Sequence, residues 1–249
     1  MYQPRLYREE FNHGKFRFFP AVLGESDLLI GIETAAFCEE MVARANRELG
    51  RLHVLLNAHI RQFPSFRGSL EPIPEREVTD GAPPEIRTML RCGAESGTGP
   101  MSSVAGLVAE YVGKALARQF GLSELLVENG GDLFMKSRSY RVVSIQAGSS
   151  PLSGTVGLKI HPGTWGVCTS SGTVGHSFSR GSADAVTVVS PEAPLADAWA
   201  TALANRIGSP DDIGPVLEEA GRVEAIRGCA VLAGGNIGVR GEFELKLLN

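Results

Sequence analysis

The 249-residue sequence predicts an α+β protein in which a mostly antiparallel sheet packs against helices. Three observations carry this expectation. Short β-branched and aromatic runs come in pairs or close succession around glycine turns, and long stretches of helical period lie between them. Nowhere does one strand alternate with one helix, as a doubly wound parallel sheet requires. Apolar residues make up 43% of the chain and its mean hydropathy is +0.01, which suits a well-buried core in a single domain spanning residues 1–249.

Lys15–Phe19 and Asp27–Gly31 read as a strand pair joined by the turn residues Gly24, Glu25 and Ser26. From about Ala35 to Ile60 the apolar positions Phe37, Met41, Val42, Leu49, Leu52, Leu55 and Leu56 recur at helical spacing, with a break expected at Gly50. Between Arg61 and Pro84 the prolines 64, 72, 74, 83 and 84 interrupt every period, so this stretch reads as a surface connection, and elements on its two sides would allow two related halves. A second helix is predicted from about Ser102 to Phe120, closed by Gly121, and Leu125–Val127 starts a strand. Beyond it, Arg141–Ile145, Val156–Ile160 and Ala185–Val189 read as strands. Pro194–Ile207 and Asp211–Ala220 read as helices, and the chain ends in strands that include Phe243–Leu247.

Composition narrows the function classes. The net charge is −4 and no run of Lys or Arg forms a stripe, so neither nucleic acid nor an anionic membrane surface is expected as a partner. No stretch of about 18 apolar residues free of charge predicts a membrane-spanning helix. The first fifteen residues mix Arg5, Arg8, Glu9, Glu10 and Lys15 without an apolar core, which predicts no signal peptide and a cytoplasmic protein. Cys38, Cys92, Cys168 and Cys229 are too far apart for the close ligand pairs of a zinc site and read as free thiols. The P-loop, zincin, α/β-hydrolase and C-x-x-C patterns are all absent.

Four stretches gather the chemistry. Gly93–Ser103, with Gly97, Thr98 and Gly99, precedes a predicted helix, where unpaired amides and close backbone approach suit a phosphate; a serine-capped helix after a flexible loop is the competing reading. Glu128–Asp132 holds Gly130, Gly131 and Asp132 in what reads as a hairpin turn whose carboxylate can face a ligand. Cys168–Ser177 reads as a hydroxyl-rich turn, with Thr169, Ser170, Ser171 and Gly172 offering donors and His176 and Arg180 adding charge, or else as a polar surface loop. On the predicted helix, Asp197 and Thr201 are four residues apart. They therefore share one face and can share a small hard cation, although an aspartate near a helix start is also a routine capping feature.

Asp184–Val189 followed by Ala196–Leu203 resembles the C-terminal signature of the ApbE-type FAD:protein FMN transferases, a T-V-V strand and then an A-D-A-x-A-T-A-L helix. Gly130–Asp132 resembles that family's G-G-D turn and Thr169–Gly172 its T-S-G segment, in the same order, so the similarity runs from about Gly93 to Gly208. The resemblance implies a tunnelling-type fold of two related halves with a flavin between them, FAD and Mg²⁺ as cofactors, and Asp197 and Thr201 as the metal-binding pair. The transferases' A-K-G-Y-type segment corresponds here to Ser103–Val108, which lacks the lysine. Of the H-I-I-D-P-x-T-G block, only His176 is kept, within His176–Gly181. This pattern is similar to the smaller ApbE-like family linked to sulfide assimilation into homocysteine. Two functions follow as expectations: a Mg²⁺-dependent flavin-binding or flavin-transferring enzyme, and a non-catalytic accessory protein that holds a nucleotide or other phosphorylated ligand. A third class, enzymes that hold a planar heterocycle with a carboxylate, would use Glu95 or Glu128. The sequence allows a homo-oligomer.

Overall fold

The computed structural model describes residues 15–74, 81–171 and 182–248. Eight strands form one sheet in which every neighbouring pair is antiparallel. They are β1 (Phe16–Leu23), β2 (Ser26–Glu33), β3 (Leu125–Asn129), β4 (Asp132–Ser137), β7 (Gly163–Ser170), β8 (Ala185–Ser190), β9 (Gly228–Ala233) and β10 (Asn236–Gly241), in that spatial order. A second sheet has the order β11 (Glu244–Leu247), β6 (Val156–Ile160), β5 (Arg141–Ser144). The helices are α1 (Glu39–Gln62), α2 (Ser65–Gly68), α3 (Pro84–Ser96), α4 (Val104–Phe120), α5 (Ala193–Ala204) and α6 (Ile213–Ala220). The expected α+β class, a largely antiparallel sheet packed with helices, is what the structure shows.

Period-two alternation divides the large sheet into two cores. Val186 and Val188 of β8 and Cys229, Val231 and Ala233 of β9 face the helices. Ala185 and Val189, with Ala230 and Leu232, face the small sheet. Because both faces are covered, β8 and β9 are buried throughout, Thr187 and Ser190 of β8 included. The helix-side core is the larger of the two. Met41, Ala45, Leu49, Leu52 and Leu56 recur along α1 at spacings of three and four, so one face of that helix meets the sheet. Truncating Leu49, Leu52 or Leu56 to alanine would cost about 2–5 kcal/mol.

Several expectations are corrected. Gly50 does not interrupt α1, because a single glycine costs only about 1 kcal/mol and the packed face on either side outweighs it. The stretch from Arg61 to Pro84 is not simply a surface connection, since it carries α2 with Phe66 buried at 1% exposure, and α3 begins at Pro84. Its prolines therefore punctuate short helices, with Pro84 in the first helical position, where a missing N–H costs nothing. The stretch lies between β2 and β3, inside the first hairpin–helices–hairpin unit; the same order of elements recurs from β7 to β10. Gly93, Glu95 and Ser96 are helical residues of α3, not loop. Cys168, Thr169 and Ser170 are not a turn but the end of strand β7. Gly163 and Gly166 hide that strand in the sequence. At Gly166 a side chain would stand 2.3 Å from the Cα of Ala193, so glycine is what lets α5 lie on the sheet.

Candidate functional site

The chemistry collects where the ends of β3, β4 and β7 meet the N-terminus of α4 and the middle of α5. Helix α5 is built for burial. Eleven of its twelve residues are buried, six of those eleven are alanines, and only Thr201 is half-buried. Alanines allow close approach, and at Gly106 of α4 an added side chain would lie 2.4 Å from the carbonyl of Ala193 and 3.0 Å from Cβ of Asp197. An aspartate inside such a helix needs partners.

Asp197 finds them on α4. Its Oδ2 accepts the Gly106 N–H at 2.9 Å, and the Ala105 amide also bonds the carboxylate. These are first-turn donors that have no partner within their own helix. The arrangement is reciprocal, because Oε2 of buried Glu110 on α4 accepts the first-turn N–H of Ala193 on α5 at 2.7 Å. Lys114 pairs with the other oxygen of Glu110. Each helix thus supplies the carboxylate that caps the other, and the position of Asp197 is fixed from both ends. Burial pushes the Asp197 carboxyl up to about 7, against the pull of the Gly106 and Ala105 amides.

Asp132 opens β4 directly opposite Cys168 in the β4–β7 register. The tight turn before it, Gly130–Gly131, has φ of 71° and 105°, a backbone that glycine adopts without strain. Oε1 of Glu128 accepts the Gly131 N–H at 2.9 Å and fixes that turn. Asn129 reaches across to the Ala105 carbonyl at 3.2 Å, tying β3 to α4. The Asp132 carboxyl is raised well above the usual carboxylate range by burial first and by the nearby Asp197 second, while the Cys168 thiol and the Thr169 amide pull the other way. The Cys168 thiol is itself pushed far up by burial and by the two aspartates, and it donates to the Ala193 carbonyl at 3.3 Å. It is therefore a buried neutral thiol rather than a nucleophile.

Two atoms stand out for what they lack. Oδ1 of Asp132 and Oγ of Ser170 are buried without a hydrogen-bond partner. Among the described residues no ion pair reaches Asp132 or Asp197, and no three His, Cys, Asp or Glu side chains are grouped to hold a metal by themselves.

A cleft of about 2080 Å³ opens onto this group and is lined by both aspartates, Thr201 and Ser170. Of the residues expected at the site, Thr98, Gly99, Gly130, Gly131, Asp132, Thr169, Ser170, Ser171, Asp197 and Thr201 all line it. Gly172 and His176 lie outside the described residues. The Gly97–Gly99 loop has structural work of its own. Gly97, with φ of 75°, caps α3, and Thr98 links Ser96 and Ser102 in a hydroxyl chain at 2.7 Å on each side. Gly99 packs so tightly on the Ser69 carbonyl that a side chain would stand 1.8 Å from it. Thr169 likewise bonds Thr187 at 2.8 Å. Residues that the sequence reading did not single out for the site are Ala105, Gly106, Glu110 and Asn129. Their roles depend on where α4 crosses α5 and meets β3, and no local pattern records it.

The sequence matches the family model described as "AbpE bacteria" over residues 8–221. It is 40% identical over 211 residues to a UPF0280 protein of Methanococcus aeolicus, covering 82% of this chain and 84% of that one. Among solved structures it is similar to the ApbE protein of Thermotoga maritima, with a TM-score of 0.55 and 12% identity over 91% of this chain and 97% of that one. It is also similar to the apo flavinyl transferase ApbE of Pseudomonas stutzeri, with a TM-score of 0.51 and 14% identity over 91% and 94%. At those identities the likeness is one of fold.

Proposed function

The chain belongs to the family described as AbpE bacteria, within the ApbE-like superfamily, and from that membership we propose that it binds a phosphorylated ligand of the flavin or nucleotide class through a divalent cation at Asp132 and Asp197. One observation carries the reading: two buried carboxylates lie within each other's field at the cleft, with the unpartnered Asp132 Oδ1 and Ser170 Oγ among the groups beside it. Buried oxygens without partners are costly, and a small hard cation is the species that satisfies several oxygens at once.

The donor set fits Mg²⁺. Asp132, Asp197, Thr201 and Ser170 supply oxygens only, fewer than the six that Mg²⁺ takes, so water and ligand phosphate complete the shell. When bound, the cation would offset phosphate charge and polarise a phosphorus–oxygen bond. The protein's own part is to hold Asp197 by the α4 amides and the Glu110 cap, and to keep the Gly130–Gly131 backbone low enough for a ligand to approach. We read the two hairpin–helices–hairpin units as related halves, and the protein as cytoplasmic. Among the described residues no helix is long and apolar enough to cross a membrane.

Calorimetry tests the reading. Mg²⁺ should bind measurably only in the presence of FAD, FMN or ADP, and Asp132→Asn should weaken that binding at least tenfold while the fold is kept. Release of AMP from FAD would extend the function to flavin transfer. A wild-type chain that binds none of the three with Mg²⁺ would overturn the cation site and leave the accessory-protein reading.

A further inference from the structure

We propose that the free edge of β11 pairs antiparallel with β11 of a second copy of this chain, in the register that sets Leu245 opposite Leu245, so that two small sheets join across a twofold axis. This uses none of the residues of the cation site and stands or falls apart from it.

The edge is open and apolar. β11 borders β6 on one side, and among the described residues no strand pairs with its other side. Leu248, just past the strand, donates its N–H to the Thr155 carbonyl at 2.8 Å, which continues the β11–β6 register. Hydrogen bonds alternate along an antiparallel strand, so Glu244 and Lys246 turn their backbone groups toward β6 while Leu245 and Leu247 turn theirs outward. The same two leucines expose their side chains, Leu247 to 81% and Leu245 to 37%. In register they stand beside Val156 and Leu158, which are buried in the core between the two sheets. The apolar row of that core therefore runs on to the edge and stops there uncovered. Proline, a bulge or unbalanced charge commonly blunts such an edge, and Glu244–Leu247 has none of the three.

Charge selects both the occupant and the register. The run Glu–Leu–Lys–Leu complements itself when reversed: with Leu245 on the axis, Glu244 of each copy stands opposite Lys246 of the other. The two Leu245 residues then exchange backbone hydrogen bonds, and the charged residues fall in the pairs without such bonds, where side chains come closest. Within one chain Glu244 already meets Lys246 at 3.2 Å and Lys159 at 3.3 Å, so pairing extends an existing surface cluster across the axis. Moving the axis by one residue sets Lys246 opposite Lys246 or Glu244 opposite Glu244, and either choice brings like charges face to face. Leu248 lines the cleft, so the pairing steadies the strand that leads into one of its walls.

Sedimentation equilibrium of the full chain tests the pairing, with melting temperature as the control for folding. A short edge-to-edge contact buries little area, so the 26.5 kDa monomer should dimerise with a dissociation constant of about 10–100 µM. Lys246→Glu and Glu244→Lys each oppose like charges twice and should weaken the dimer at least about tenfold. Mixing the two variants opposes Lys to Glu again and should restore association as a mixed dimer, which a merely structural role for either residue does not predict. Leu245→Pro removes an outward N–H and no bond to β6, so it should leave a monomer. A wild type that keeps the monomer mass up to about 500 µM overturns the proposal. So does a dimer that neither charge variant weakens, or a pair of weakened variants whose mixture stays monomeric. Should Leu245→Pro fail to fold, the two exposed charge variants and their mixture decide the question by the same criteria.

Discussion

Two places in this molecule bury carboxylates, and they solve the problem in opposite ways. Glu124, at the entry to β3, is 2% exposed. It accepts from Arg141 at 2.5 Å, from the Arg138 amide at 3.0 Å and from Ser137 at 3.3 Å, with the Lys15 ammonium 3.4 Å away. Burial alone would raise its carboxyl, but the Arg141 bond, the Arg138 amide and the Lys15 charge outweigh burial and hold it below the usual range. Asp132 and Asp197 are buried to a similar degree, yet among the described residues no cation meets them, and both carboxyls are raised. A carboxylate whose partners are all internal belongs to the architecture. Among the described residues Asp132 instead keeps one oxygen, Oδ1, without a hydrogen-bond partner, whereas both oxygens of Glu124 are met.

The strongest way to break this contrast is substitution at Glu124. Glu124→Ala should destabilise the protein by about 3 kcal/mol, because it strands Arg141 beside the small sheet with its main partner gone. Urea denaturation measures it, and a loss below about 1 kcal/mol would show that the cluster is ornamental. Asp132→Asn should act in the other direction. Without ligand it leaves stability unchanged or raises it by up to about 1 kcal/mol, since it removes a carboxyl that burial disfavours in its charged form. A clear loss of stability would mean that the carboxylate already has its partner within the chain.

Acidity gives the most discriminating effect. Glu124 has a lowered folded pKa, so its contribution is present above the unfolded value and is lost as pH falls through the folded one. Asp197 has a raised folded pKa, about 7 against 3.8. Its contribution is full below the unfolded value and is lost as pH rises toward 7. The ligand-free protein should therefore lose melting temperature between about pH 4 and pH 7 from this group, and Asp197→Asn, which keeps an oxygen for the Gly106 amide, should flatten that slope. An unchanged slope would place the titration elsewhere.

The class of fold, the β1–β2 pair, α1, α4, α5 and the strand β8 are legible in the order of amino acids. In each of these a period of 2 or 3.6, or a run dense in β-branched residues, is written locally. The sequence also marks Asp132, Ser170, Asp197 and Thr201 as candidates, because glycine turns, clustered hydroxyls and a four-residue spacing on one helix are visible without a structure. It did not reveal α3, whose prolines look like breakers until Pro84 is seen at a first helical position, nor β7, whose Gly166 answers to α5 rather than to the strand. Packing alone shows that Asp197 caps α4 while Glu110 caps α5, that Asp132 stands opposite Cys168, and that the Gly97–Gly99 loop closes a helix end and packs on the Ser69 carbonyl. The two differ in range. Propensity and periodicity act over a few residues, whereas a buried charge is satisfied, or left open, by groups 65 and 91 positions away that only packing brings within reach.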